Sequence, residues 1–78
     1  MKKAVDYITV NYKNDITVAE LSKIVNLSPS RFFTVFKKET GKTISEYVSI
    51  ARIERAKYLL IASELPVSEI AFEVGFQS

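Results

Sequence analysis

TVAELSKIVNLSPSRFFTVFKKETG, residues 17–41, packs two helix starts and two helix stops into 25 residues. Thr17-Val18-Ala19-Glu20 has the form of a capping box, in which hydroxyl and carboxylate satisfy orphan amides reciprocally. Ile16 and Leu21 flank it at the positions of a hydrophobic staple. Leu21, Ile24 and Val25 form the apolar stripe of a short helix from about Val18 to Val25. Asn26 then accepts a left-handed backbone cheaply. Ser28-Pro29 restarts a helix at once, serine as N-cap and proline in the first helical position. Leu27 and Phe32 make a second staple, and Gly41 closes this helix after Thr40.

Working outward, Val5, Ile8 and Tyr12 share a helical face and predict a first helix from about Lys3 to Tyr12, broken at Asn14-Asp15. Downstream, Thr43-Ile44-Ser45-Glu46 is another capping box. It opens a long helix to about Ala62 with Ile44, Tyr47, Val48, Ala51, Ala56, Leu59 and Leu60 as its apolar positions. Pro66 marks a boundary, and a short helix fits Val67 to Val74. No alternating strand pattern of useful length occurs, so the fold class is all-α. Two short helices joined at Asn26 are the layout of a helix-turn-helix, here within a homeodomain-like three-helix unit.

A repeat strengthens that layout. Sliding the chain by 49 residues sets Ile16-Thr-Val-Ala-Glu-Leu over Leu65-Pro-Val-Ser-Glu-Ile. Val18 falls on Val67, Glu20 on Glu69, Leu21 on Ile70, Val25 on Val74, Leu27 on Phe76 and Asn26 on Gly75, so apolar spacing and turn chemistry agree. The expected organisation is a first helix-turn-helix with linker helix over residues 1–62 and an incomplete second one over 63–78. In this register Gln77 and Ser78 overlie Ser28 and Pro29, where a second recognition helix should begin. A truncated chain is therefore expected; a natural end here would leave Ile70, Val74 and Phe76 exposed.

Composition narrows the chemistry. The sequence has no cysteine and no histidine, which removes disulfides, thiolate or imidazole metal ligands and the usual catalytic bases. Glu20 and Glu46 each close a capping box and so do not read as an acid/base pair. No catalytic residue, metal or cofactor is expected. No apolar run approaches a membrane span, and Met1-Lys2-Lys3 leads into an amphipathic segment rather than a signal-peptide core, so a cytoplasmic protein is expected. The net charge is only +2, but Arg31, Lys37, Lys38 and Lys42 stand against Glu39 alone between Ser28 and Lys42. Such a cluster is either a solvated helix face or a nucleic-acid footprint.

The sequence resembles the DNA-binding domain of the AraC family across nearly its whole length. The carrying segments are Ile16-Thr-Val-Ala-Glu-Leu-Ser and Leu27-Ser-Pro-Ser-Arg-Phe-Phe-Thr-Val-Phe-Lys-Lys-Glu-Thr-Gly. Glu46-Tyr-Val, Arg52-Ile-Glu-Arg-Ala-Lys-Tyr-Leu-Leu and Ile70-Ala-Phe-Glu-Val-Gly-Phe follow in the family's order. The style is similar to bacterial regulators whose AraC domain ends a response regulator. The resemblance implies two helix-turn-helix units on one face of double-stranded DNA, with residues about 29–40 as the first recognition helix in the major groove. A linker of about 19 residues spans roughly 28 Å, near the ~34 Å of one DNA turn. It also implies a sensor or receiver domain elsewhere in the parent protein, and RNA polymerase as a further partner.

On a helical wheel Phe32, Val35 and Phe36 share the core face of the third helix, while Ser30, Thr34 and Lys37 centre the opposite face. Carried over from the family, Ser30, Phe33 and Thr34 match base-contacting positions, with Arg31 beside them. Arg31 reaches either a guanine edge, the favoured reading, or a phosphate. Phe33 meets thymine methyls or packs against the first helix. Lys37 and Lys38 contact phosphate or stay solvated, and contacts of that kind do not specify sequence. Thr17 and Thr43 either cap alone or also present first-turn amides to phosphate. Arg52 reads as structural, paired with Glu20 or Glu46. Two other classes compete: a helical protein–protein interaction domain that docks through Ile70 and Phe76, and an enzyme like the DNA-repair proteins with an AraC-like domain, whose reactive cysteine is missing here.

Overall fold

Three left-handed residues punctuate the backbone: Asn26 (φ 56), Gly41 (φ 78) and Gly75 (φ 99). Between them, a computed structural model describing residues 1–76 places five helices and, among those residues, no strand. They are α1 (Lys2–Asn11), α2 (Val18–Ile24), α3 (Pro29–Thr40), α4 (Ile44–Ala62) and α5 (Val67–Glu73). The all-α expectation holds. α2 and α5 end one residue earlier than the apolar pattern suggested. Val25 and Val74 still donate to Leu21 and Ile70, but their backbones have left helical geometry to enter the left-handed residue that follows.

The 49-residue repeat reappears in the hydrogen bonds. Asn26 N–H donates to Lys23 O and Leu27 N–H to Ser22 O; Gly75 N–H donates to Phe72 O and Phe76 N–H to Ala71 O. Each pair satisfies carbonyls that a helix end would otherwise orphan. The positions overlaid on Ser28 and Pro29, Gln77 and Ser78, lie outside the described residues.

Caps set the helix starts. Ser28 Oγ accepts from Arg31 N–H at 3.2 Å, with Pro29 in the first turn. The Thr43 box is complete: Thr43 Oγ1 accepts from Glu46 N–H at 3.2 Å while Glu46 Oε1 accepts from Thr43 N–H at 2.8 Å. The Thr17 box is half made. Thr17 Oγ1 accepts from Glu20 N–H, but the Glu20 carboxylate accepts from the Thr17 hydroxyl (3.1 Å) and from Tyr7 Oη (2.9 Å) instead of the Thr17 amide. Tyr7, on α1, thereby ties α1 to the start of α2.

The core joins four helices: Ala4 and Ile8 of α1, Leu21 of α2, Phe32 and Phe36 of α3, Ile44 and Val48 of α4. Phe36 stacks at 5.5 Å on Phe32 and meets Tyr47 edge-on at 5.5 Å. Both staple residues, Ile16 and Leu27, pack on this cluster. Two expectations change. Leu60 is 55% exposed, because it sits one residue, or about 100°, round from the Ile44–Val48–Leu59 stripe. Ile70 and Val74 are buried, at 3% and 0%, in a small second core where α5 packs on α4, so neither is left exposed.

Phe36→Ala is expected to cost about 3–5 kcal/mol in urea unfolding, as a large buried ring lost from a small core. Half-exposed Phe33→Ala is expected to cost about 1 kcal/mol or less. Equal costs would show that the wheel assigns the wrong face to the core.

Candidate nucleic-acid interface

The 3.6-residue period that buries Phe32 and Phe36 forces Ser30, Arg31, Phe33, Thr34, Lys37 and Lys38 outward, and all six are exposed. Thr34 Oγ1 donates to Ser30 O at 3.2 Å, which leaves its lone pairs and methyl group for another molecule. Among the described residues the one ion pair is Lys57–Glu54, so no carboxylate neutralises Arg31, Lys37 or Lys38 by direct pairing. This helix face is short-chained at its centre, basic at its edges and, among the described residues, without ion-pair partners.

Phe33 is 48% exposed and is not among the side chains packed on the core. Its ring borders an open cleft of about 480 Å³, shared with Ile16 and Val18 at the start of α2 and Thr43, Ile44 and Val48 at the start of α4. The alternative in which Phe33 packs against α1 is therefore not the arrangement found. The starts of α2 and α4 thus lie together beside the exposed face of α3. Both Thr17 and Thr43 spend their hydroxyls on capping, so what they offer beyond the cap is first-turn amides.

Electrostatics around these caps follow from the hydrogen bonds. The Glu20 carboxyl is held below its ordinary value, first by the Tyr7 hydroxyl and then by the Thr17 hydroxyl. The same bond pushes the Tyr7 phenol up. Glu46 is held down mainly by the Thr43 amide and hydroxyl, with Lys37 and Lys42 adding a smaller attraction. Lys42 therefore belongs with Lys37 at the basic edge beside the α4 start. In the sequence it already counted in the basic cluster between Ser28 and Lys42.

Arg52 pairs with neither glutamate. Nε donates to Tyr12 O at 2.6 Å and an Nη donates to Asn14 O at 3.1 Å. Glu20 and Glu46 are already engaged by Tyr7 and Thr43, and the loop carbonyls after α1 need donors. No group of metal-ligating side chains occurs among the described residues, and no helix there is long and apolar enough to cross a membrane.

A family model described as a helix-turn-helix domain matches residues 21–78. The chain belongs to the AraC-type helix-turn-helix family. This is a family of DNA-binding transcription-regulator domains, not of enzymes. The lactose operon transcription activator of Staphylococcus xylosus is 36% identical over 77 residues, covering 99% of this chain but only 28% of the activator. Among solved structures, the C-terminal domain of AraT, a response regulator from Geobacillus stearothermophilus, is 32% identical with a TM-score of 0.87, over 96% of this chain and 63% of that one. The DNA-binding domain of AdpA, solved in complex with a target DNA, is 25% identical with a TM-score of 0.88, over 99% of this chain and 69% of that one. The AraC-type match agrees with the exposed face of α3.

Because Glu20 and Glu46 are depressed when folded, their contribution to stability is present above the unfolded carboxylate value near 4.5 and is lost as pH falls through their lower folded values. The urea midpoint is expected to drop on this acid limb, and the drop should shrink in Glu20→Gln, Glu46→Gln. An unchanged acid limb in that double variant would remove both carboxylates from the account.

Proposed function

We propose that this chain binds double-stranded DNA sequence-specifically as part of a bacterial transcription regulator, with α3 in the major groove. The observation that carries this reading is the exposed α3 face, basic at its edges and flanked by two helix starts. Ser30, Arg31, Phe33 and Thr34 read base edges. Serine and threonine permit close approach, Arg31 offers a guanidinium fork to guanine, and Phe33 and the Thr34 methyl suit thymine methyls. Lys37 and Lys38, with the first-turn amides behind Thr17 and Thr43, hold phosphate. Residues 1–62 act as the first binding unit and 63–78 as the opening of the second. The chain spans under a third of the staphylococcal activator, and the parent protein is read as a cytoplasmic regulator with a sensor or receiver domain that works with RNA polymerase.

A second reading, a protein-docking domain, is favoured by one observation: Ile53, Ile61, Val67 and Phe72 are exposed apolar side chains on α4 and α5. Buried Ile70 does not belong to that surface.

Fluorescence anisotropy on a random-sequence duplex at several salt concentrations separates the two. Salt-sensitive binding that is lost in Arg31→Glu, Lys37→Glu is expected; no binding at low salt, or full binding by the double variant, leaves the docking reading in front. On a preferred duplex selected from a random pool, Thr34→Ala is expected to lose about 1–3 kcal/mol while its random-duplex binding barely changes. Lys37→Ala should weaken both duplexes alike and flatten the salt dependence. Equal losses on the two duplexes for Thr34→Ala would remove it from base reading.

A further inference from the structure

Arg52 of α4 touches both ends of the molecule's architecture at once. Its guanidinium bridges Tyr12 O (2.6 Å) and Asn14 O (3.1 Å) in the α1–α2 loop. It also lies 5.5 Å from the ring centroid of Phe76, in the turn after α5. The loop calls for such a donor. Tyr12 is the C-cap of α1, whose last turn carries no basic residue, so Arg52 brings the missing donors and positive charge from 40 residues away.

Gly75 closes the same junction from the other side. A Cβ there would stand 2.7 Å from Lys13 O and 3.0 Å from Arg52 Nε. Gly41 is left-handed as well, yet a Cβ there meets nothing within 4 Å. Asn26 holds the equivalent place in the first turn at φ 56 and keeps its side chain. The backbone alone strains any L side chain at Gly41 or Gly75. At Gly75 the close approach to the first unit adds a steric demand that Gly41 does not face.

We infer that Arg52 and Gly75 are positioning residues that lock the second turn onto the α1–α2 loop and so fix α5 relative to α3. α5 otherwise packs chiefly on α4, so without the junction it is steered by that one helix. With it, the geometry in which the two units meet DNA is set before binding. That last consequence rests on the DNA-binding reading above; the lock itself does not.

Amide residual dipolar couplings on the 78-residue chain in a neutral aligning medium test the lock. In the wild type and in Gly41→Ala, α1–α3 and α5 are expected to fit one alignment tensor. In Arg52→Ala and in Gly75→Ala, α1–α3 should keep its tensor while α5 takes a weaker one of its own. Arg52→Lys should not rescue, since an ammonium lacks the planar fork that spans two carbonyls. A shared tensor in both Arg52→Ala and Gly75→Ala overturns the proposal. So does collapse of the α1–α3 couplings in both, which would make these residues supports of the first core instead of a joint. Duplex binding measured alongside keeps the two claims apart: if the wild type binds no DNA, the DNA consequence falls whatever the tensors report.

Discussion

Burial of the Phe32–Phe36 face of α3 against Ile8, Leu21, Ile44 and Val48 is the contact on which the rest of the molecule depends. Each fully buried ring contributes on the order of 1.5–3 kcal/mol. The domain has few such side chains, and α3 shares its core with every helix from α1 to α4. The same period that seats these rings presents Ser30, Thr34 and Lys37 on the far side. Core and candidate interface are two faces of one helix, so the exposed face is only as well oriented as the aromatic face is well packed.

Helices as short as α2 and α5, seven residues each, are marginal by themselves. Their ends therefore matter more than their middles. Left-handed Asn26 and Gly75 redirect the chain while their turns satisfy the carbonyls of the helix just ended. Thr17, Ser28 and Thr43 do the corresponding work for amides at the starts. Most of these groups act within three residues of their targets. The turn by which α3 leaves α2 is thus specified by local chemistry as well as by the packing around it.

Charge is distributed by the same logic. Glu20 and Glu46 are held by hydroxyls and amides at helix starts, while Arg31, Lys37 and Lys38 are left without ion-pair partners among the described residues. A net charge of +2 is a whole-chain sum and hides the local excess of base between Ser28 and Lys42, where Arg31, Lys37, Lys38 and Lys42 stand against Glu39 alone. Lys42, beside the Thr43 cap, extends the basic edge toward the start of α4.

What the sequence by itself determined are the features that act over a few residues or repeat at a fixed period. The Ser28-Pro29 start, the Thr43–Glu46 box, the Gly41 stop, the exposed face of α3 and the 49-residue repeat were all legible there. The first three are decided by groups close in the chain, the last two by a fixed period. Only the tertiary structure decided contacts between residues far apart. Tyr7 reaches the Glu20 carboxylate from 13 residues away, a partner that the local capping pattern does not foresee. Arg52 chooses loop carbonyls 38 and 40 residues away over either glutamate. Ile70 and Val74 are buried where α5 packs on α4, although the missing partner helix suggested that they, with Phe76, would be exposed. In each case a donor or an apolar surface had several chemically suitable partners, and the packing of helices, not the spacing of residues, brought one of them within reach.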